Sequence, residues 1–174
     1  DYITINISSP NTEGLRDYHE KKYMSDLLKK INQLREEKIF KTPVVIKISP
    51  NIKDQDIENI IELIFEYNLD GIIISNTSDV DRENLIDHKK NEEGGLSGQP
   101  IKDISTAMIK KFYKKVKNKI PIIGVGGVDS GQSAFDKITA GAQVVQLYTG
   151  MVYKGPGIVK EIKKELISTL KKEK

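Results

Sequence analysis

The sequence has no cysteine and few histidines, and both facts limit the chemistry that it can perform. Without a thiol, the chain forms no disulfide, uses no cysteine nucleophile and builds no zinc site on sulfur. The two histidines, His19 and His88, lie among charged, loop-forming residues, and we expect both to be exposed to solvent rather than catalytic. No group of histidines or carboxylates has metal-ligand spacing, and neither histidine follows a predicted strand. A metal site and a Ser-His-Asp triad are therefore disfavoured.

Other common signatures are missing as well. No apolar run approaches the roughly 20 residues that a membrane-spanning helix needs. The dinucleotide-binding pattern Gly-x-Gly-x-x-Gly is not completed, because Val128 and Asp129 follow Gly127, and the P-loop pattern is absent. The net charge is only +3, from 28 basic and 25 acidic residues. The lysines lie among glutamates on helical patterns and read as solvated helix faces, which disfavours nucleic acid as a partner.

What the sequence does contain is a regular alternation of strand and helix patterns. The strands are continuous apolar runs rather than alternating ones, which predicts a parallel sheet buried on both faces by helices. Two α/β architectures fit: an open doubly wound sheet, and part of a barrel. Five predicted strands occupy residues 2–7, 44–48, 71–75, 120–125 and 143–148. Five predicted helices occupy residues 20–40, 54–67, 103–116, 130–140 and 156–172, and a long loop occupies residues 76–100.

Glycines at the ends of the last two predicted strands favour the barrel. The segment GVGG ends the fourth strand at residues 124–127, and Tyr-Thr-Gly ends the fifth at residues 148–150. In (β/α)8 barrels the loops after the last two strands often bind a phosphate, since glycine lets backbone N–H groups approach it closely. Tight βα turns would explain the same glycines, so the pattern favours a phosphate site without deciding the question.

Polar side chains gather where the first three predicted strands end, and a barrel would bring these ends onto one face. Lys47 lies within the second strand, where an unpaired ammonium is costly to bury, and this favours a site lysine over a snorkelling surface lysine. An Asx or serine turn around Pro10 and an ordinary loop start after the third strand remain alternatives. The other polar residues are Asn6, Ser8, Ser9, Asn11, Thr12, Ser75, Asn76 and Thr77.

Six ordered blocks together resemble the dihydroorotate dehydrogenases, and the likeness runs from residue 3 to at least residue 165. They are NISSPNTEGLR (residues 6–16), PVVIKISP (43–50), GIIISNTS (71–78), GGLSGQPI (94–101), PIIGVGGVDSG (121–131) and GAQVVQLYTG (141–150). The departures are mild: Ser75 stands where threonine is common in the family, and Gln99 where a basic residue is common.

The resemblance implies a (β/α)8 TIM barrel that binds FMN and oxidises dihydroorotate to orotate in de novo pyrimidine biosynthesis. A serine at position 9, where the soluble classes usually have cysteine, implies the membrane-associated class that reduces ubiquinone, and hence the mitochondrial inner membrane. Because the chain opens within a strand, we expect residues 1–174 to be the C-terminal part of one barrel domain, with about five βα units. The upstream strands, the quinone site and any membrane-docking segment would precede them.

The resemblance also implies roles for individual residues. Ser9 resembles the catalytic base, and Thr12 resembles a threonine that relays the proton. Residues that resemble substrate contacts are Asn6, Asn11, Asn76 and Thr77. Residues that resemble FMN contacts are Asn6, Lys47, Ser75, Gly98, Gly127, Tyr148 and Thr149, the last three near the phosphate.

Two other functions remain open from the residues alone. A phosphate-binding isomerase or aldolase that uses Lys47 as a Schiff base would explain the glycine turns, although it leaves the NISSPN block unexplained. A fragment without activity of its own would also fit, because two open sheet edges would favour aggregation over tight FMN binding.

Overall fold

A five-stranded parallel sheet forms the centre of the computed structural model, which describes residues 1–37, 41–79 and 82–172. The strands are β1 (Ile3–Asn6), β2 (Val44–Ile48), β3 (Gly71–Ile74), β4 (Ile122–Val125) and β5 (Val144–Gln146). They lie in the order β1-β2-β3-β4-β5, so each strand pairs with the next one in the chain. A doubly wound sheet reverses its strand order at a switch point, and this sheet does not, so its topology is that of a barrel wall.

Helices connect the strands. All five predicted helices are present, with ends that differ from the prediction by one or two residues. Residues 38–40, at the end of the first predicted helix, lie outside the described residues. The helices are α1 (Lys21–Glu37), α2 (Asp54–Glu66), α3 (Lys102–Val116), α4 (Gly131–Thr139), α5 (Thr149–Lys154) and α6 (Ile158–Lys172). Short 3-10 helices occupy Leu15–His19 and Gln99–Ile101.

Helix α5 corrects the predicted strict alternation of five strands and five helices. It is six residues long and buries none of them, so its sequence carries no apolar stripe from which a helix could be predicted. It ends at Gly155, whose φ of 71° lies in the left-handed region.

Side chains alternate between the two faces of the sheet. Val44, Ile46 and Ile48 of β2 join the large core that packs against α1, α2 and α3. Val45 points to the other face, where it forms a small cluster with Ile73 and Ile123. Lys47 is two residues beyond Val45 and therefore also lies on this inner face, near the carboxyl ends of the strands.

The outer strands correct the prediction that both faces of every strand are buried. Ile3 of β1 is 43% exposed and Val144 of β5 is 53% exposed, whereas all residues of β3 are buried. The apolar runs themselves were predicted well. The exposure of the outer strands follows from their position in the sheet, because β1 and β5 each pair with a neighbour on one side only.

The prediction that the lysines lie on solvated helix faces is wrong for Lys137. This α4 side chain is completely buried, although most other lysines are exposed or half-buried. Its face of the short helix points towards α3 and β4, which the local charge pattern does not reveal.

Candidate active site

Hydrogen bonds join the polar ends of β1 and β3. The Asn76 side-chain NH2 donates to Asn6 Oδ1 at 3.2 Å and to Ser8 Oγ at 3.0 Å, and Ser8 Oγ donates to Asn6 Oδ1 at 2.9 Å. Asn76 Oδ1 in turn accepts from the Thr77 backbone N–H at 2.8 Å. These bonds fix which way both amides point. Ser8 is fully buried at the centre of the network and was not among the residues assigned a site role.

A cavity of about 1120 Å³ opens at the carboxyl ends of strands β2 to β5. Its volume exceeds the roughly 300–1,000 Å³ of pockets that hold one small molecule, so it has room for a cofactor together with a small substrate. Eight of the twelve residues that were assigned site roles line it: Lys47, Ser75, Asn76, Thr77, Gly98, Gly127, Tyr148 and Thr149. The other four, Asn6, Ser9, Asn11 and Thr12, are outside its lining, on the end of β1 and the loop that follows.

The loop after β1 contains the turn that was expected as an alternative. Ser9 Oγ accepts a hydrogen bond from the Asn11 backbone N–H at 3.2 Å, as in a serine turn. Asn11 and Thr12 are exposed and Ser9 is half-buried. Among the described residues, no histidine or carboxylate hydrogen-bonds to Ser9. The turn does not compete with a site role, because a donor to Ser9 Oγ would also stabilise its deprotonated form.

Lys47 projects into the cavity from the inner face of β2. It is half-buried, and burial lowers the pKa of its ammonium. Among the described residues, none accepts a hydrogen bond from this ammonium. A cation in this setting is available to a ligand in the cavity.

Residues of both glycine turns line the cavity, at positions 125–127 and 148–150. Gly127 has a φ of 72°, and a Cβ there would lie 2.7 Å from Lys102 Cα, so the position excludes other residues. Gly98 packs on Thr149, whose hydroxyl donates to Ser97 Oγ at 2.8 Å. The loops after β3, β4 and β5 therefore converge on one place.

Ser75 provides a direct test of whether these residues fit a bound ligand. It is 2% exposed, and its hydroxyl oxygen has no hydrogen-bond partner among the described residues. Buried hydroxyl groups are nearly always hydrogen-bonded, so an unpaired one beside a cavity points to a partner that a ligand supplies. Ser75 and the glycine turns thus fit a phosphorylated, polar cofactor.

His19 corrects the prediction that both histidines are exposed. It is 7% exposed, with Nδ1 at 2.9 Å from the Arg16 carbonyl oxygen and Nε2 accepting from the Ser49 backbone N–H at 3.4 Å. Burial lowers the pKa of His19, which favours the neutral ring with its proton on Nδ1. The Leu15–His19 turn folds the ring over the end of β2, and charged neighbours in the sequence do not reveal that direction. His88 is exposed, as predicted.

An ion pair that sequence reasoning missed holds the loop after β1 against the loop after β3. Arg16 Nη1 lies 2.6 Å from Asp79 Oδ2, and Asn51 Nδ2 donates to Asp79 Oδ1 at 3.1 Å. The hydrogen bond from Arg16 is the largest of the effects that lower the pKa of Asp79. The contact joins residues 63 positions apart and so supports the loop that carries Ser9.

The described residues of the long loop after β3 form contacts that the sequence does not predict. Ser78 and Leu96 form an antiparallel bridge across its base. Arg82 Nη1 donates to the carbonyl oxygens of Lys90 at 3.1 Å and Glu92 at 2.6 Å, and Nη2 donates to that of Gly94. These bonds fold the loop over the cavity that its residues help to line.

The family model described as Dihydroorotate dehydrogenase matches residues 1–170. The chain belongs to the dihydroorotate dehydrogenase family. Its curated relatives include the dihydroorotate dehydrogenase (quinone) of Bradyrhizobium diazoefficiens, 43% identical over 97% of this chain and 47% of that protein. The mouse protein named dihydroorotate dehydrogenase (quinone), mitochondrial, is 45% identical over 98% of this chain and 44% of its own length.

Solved structures of this dehydrogenase family share the fold. A crystal structure of the Eimeria tenella enzyme in complex with ferulenol superimposes with a TM-score of 0.91 at 33% identity, over 99% of this chain and 50% of that one. The chain therefore spans about half the length of the dihydroorotate dehydrogenases that it matches. The parallel α/β architecture expected from the sequence is confirmed, as part of a TIM barrel.

The described ranges also bear on metal binding and on membrane spanning. They contain no cluster of histidine and carboxylate side chains that could hold a metal ion. None of the helices within them has the length and apolarity needed to cross a bilayer.

Proposed function

We propose that the chain is the C-terminal part of the single barrel domain of an FMN-dependent dihydroorotate dehydrogenase, which oxidises dihydroorotate to orotate and reduces ubiquinone. The observation that carries this proposal is the cavity at the strand ends, in which Ser75 has a buried and unpaired hydroxyl. Membership of the family and eight lining residues of the expected types support it.

Seven residues would hold FMN in this proposal. Ser75 would gain a hydrogen bond that no described residue gives it, and Lys47 would place a positive charge beside the flavin ring. When bound, FMN supplies an acceptor for the hydride from carbon 6 of dihydroorotate. Lys47 would stabilise the negative charge that develops there, an electrostatic effect that is strong in a partly dry cavity. The other five are Asn6, Gly98, Gly127, Tyr148 and Thr149.

The substrate would be held by side-chain amides. Dihydroorotate is rich in amide groups along its ring edges, which pair with amide and hydroxyl side chains. Asn6, Asn11, Asn76 and Thr77 would make these contacts. The bonds among Asn6, Ser8 and Asn76 support the role, because amides whose orientation is already fixed lose less entropy on binding.

Ser9 would remove the proton from carbon 5 of the substrate, and Thr12 would pass it towards solvent. A serine hydroxyl is a weak base and needs help to lose its own proton. The backbone N–H of Asn11 donates to Ser9 Oγ and would stabilise its charged form. The exposed position of Thr12 suits the last step of such a relay.

The test uses the purified full-length protein and two variants at position 9. We expect flavin absorbance bands and rapid anaerobic reduction of the flavin by dihydroorotate. Ser9→Ala should slow that reduction by roughly 10²- to 10⁴-fold, the usual contribution of a general base, with FMN still bound. Ser9→Cys should recover part of the rate, because a thiol can also take the proton. An unchanged stopped-flow rate in Ser9→Ala would remove Ser9 as the base.

One observation favours the second candidate, a Schiff-base isomerase or aldolase. Burial lowers the pKa of Lys47, and a neutral amine is the form that attacks a carbonyl group. Such a protein would be colourless, and borohydride would trap a carbonyl substrate on Lys47. Flavin bands in the purified protein would decide against it.

Partners and location extend the proposal beyond this chain. Ubiquinone would bind a preceding segment, which would also dock on the membrane, and the enzyme would act in de novo pyrimidine synthesis. Relatives from mouse and Arabidopsis thaliana are named mitochondrial, whereas other relatives are bacterial. We propose the mitochondrial inner membrane, and a fluorescent fusion of the full-length protein tests it directly.

A further inference from the structure

Lys137 is a buried cation that forms no ion pair with any residue that the structure describes. Its side chain in α4 is 0% exposed. The ammonium donates to Ser105 Oγ and Thr106 Oγ1, each at 3.1 Å, and to the Lys102 carbonyl oxygen at 3.5 Å. All three acceptors are neutral, and no described carboxylate lies within ion-pair distance of it. A buried charge solvated only by neutral oxygens is costly, which raises the question of what compensates it.

The ammonium lies directly behind the glycine turn that follows β4. Its acceptor Ser105 also donates to the Val125 carbonyl oxygen at 2.5 Å, and a Cβ on Gly126 would lie 3.2 Å from Ser105 Cβ. Gly127 packs in the same way on Lys102, the residue whose carbonyl oxygen the ammonium also contacts. Lys137 and the glycine turn thus share two α3 residues as neighbours, and Gly126 and Gly127 line the cavity whereas Lys137 does not.

The charged groups around Lys137 compensate it only in part. Burial is the main effect and lowers the pKa of Lys137 to about 8, while Asp103 of α3 and Asp136 of its own helix raise it and Lys102 lowers it. Strands β4 and β5 carry no ionisable side chain, and on α6 the Glu165 carboxylate is held by the Gly131 backbone N–H. An anion in the cavity would supply the missing negative charge.

We propose that Lys137 is a positioning residue for a phosphate monoester bound at the Gly126–Gly127 turn, acting through its buried charge and its hold on Ser105. The inference rests on the proposed function and deepens it. Lys137 does not line the cavity and would act on the ligand only through its neighbours. It makes the preference for the phosphorylated cofactor depend on a residue that the ligand does not touch. Binding of the phosphate and protonation of Lys137 should therefore favour each other.

The experiment compares FMN with riboflavin, which lacks the phosphate, on the full-length apoprotein. Flavin fluorescence quenching gives both affinities for the unaltered protein, for Lys137→Met and for Lys110→Met, which removes an exposed α3 lysine as a matched control. Lys137→Met should weaken FMN binding about ten-fold, the size of one charge interaction across roughly 12 Å at an effective dielectric of about 20, and leave riboflavin binding unchanged. Lys110→Met should change neither.

A pH series separates charge from packing. Between pH 7 and pH 9.5 the unaltered protein should lose its FMN advantage over Lys137→Met, because Lys137 loses its proton near pH 8. Equal loss of FMN and riboflavin in Lys137→Met would show a merely structural role and overturn the inference alone. Failure of the unaltered protein to bind either flavin would overturn the proposed function and the inference together.

A second measurement needs no variant and so does not depend on how well Lys137→Met folds. Selective ¹³C labelling of lysine side chains allows the titration of Lys137 to be followed by NMR with and without FMN. We expect bound FMN to raise the pKa of Lys137, whereas riboflavin should leave it in place. Identical titrations with the two flavins would contradict the coupling.

Discussion

The neutral imidazole of His19 anchors the first βα loop to β2. Its ring joins the Arg16 carbonyl to the Ser49 backbone N–H, and Arg16 extends the contact to Asp79. The sequence predicted the residue types of the cavity but not this support. A sequence shows that a serine or an amide follows a strand, whereas the burial of a histidine depends on how a turn folds back.

Protonation of His19 should weaken the fold. Burial lowers its pKa below the ordinary value of 6.5, so the unfolded chain binds the proton more readily than the native state. The contribution of neutral His19 to the free energy of unfolding is fully present above pH 6.5. It is lost as the pH falls from 6.5 through the pKa of His19 in the folded protein. Urea unfolding of the full-length protein should therefore give a lower midpoint at pH 5 than at pH 7.5.

Two variants isolate the part of this pH effect that belongs to His19. His19→Phe removes the titrating group and should flatten the difference between pH 5 and pH 7.5, at some cost in stability at both. His88→Phe changes an exposed histidine and should keep the difference. A difference that is the same in all three proteins would show that His19 does not cause it. The coupling of Arg16 and Asp79 does not confuse the test, because the lowered pKa of Asp79 lies below this range.

At the scale of elements, the strands could be predicted from the sequence, whereas the contacts of the turns that follow them could not. The apolar runs predicted all five strands, and the glycine pairs predicted turns after β4 and β5. What the runs could not predict is the contact of a loop glycine with the first residue of a helix, as for Gly98 against Thr149 and Gly127 against Lys102. Helix α5 was missed because it has six residues, none of them buried, and so carries no apolar periodicity.

Gly127→Ala should disrupt the turn after β4. The added Cβ would lie 2.5 Å from Lys102 Cβ, on a backbone with φ of 72°. Strain and overpacking together should lower the free energy of unfolding by about 2 kcal/mol or more and abolish FMN retention. Gly157→Ala is the matched control, since no atom lies within 4 Å of its new Cβ. Denaturation midpoints and the FMN-to-protein ratio measure both effects, and equal behaviour of the two variants would contradict the proposed packing.

At the scale of the molecule, strand order decided what periodicity left open. Five apolar runs fit a doubly wound sheet and a barrel equally well, because both bury their parallel strands. The order β1-β2-β3-β4-β5 excludes the first, and order is a long-range property that no local pattern encodes. The exposure of the outer strands follows from the same topology, since each has one neighbouring strand. The chain spans about half the length of the relatives that it matches.

The open edges predict how the 174 residues behave when they are expressed alone. Unpaired backbone groups and exposed side chains along β5, such as Val144 at 53% and the adjoining Tyr148 at 77%, favour pairing between copies. We expect oligomers or aggregates in size-exclusion chromatography and little retained FMN, whereas the full-length protein should be monodisperse and yellow. A monomeric fragment that retains FMN would contradict this expectation.

A charge placed on the sheet edge should distinguish association through edge pairing from association through exposed apolar surface in general. Val144→Lys places an ammonium on β5, where charged side chains oppose strand addition, and should shift the isolated 174 residues towards the monomer. Ile138→Lys puts the same charge at a helix side chain of α4 that is 37% exposed, where no strand can be added, so it should have little effect. Light scattering at matched concentrations compares the two. If both lysines reduce association equally, the association arises from exposed apolar surface in general and the sheet edge is not its cause.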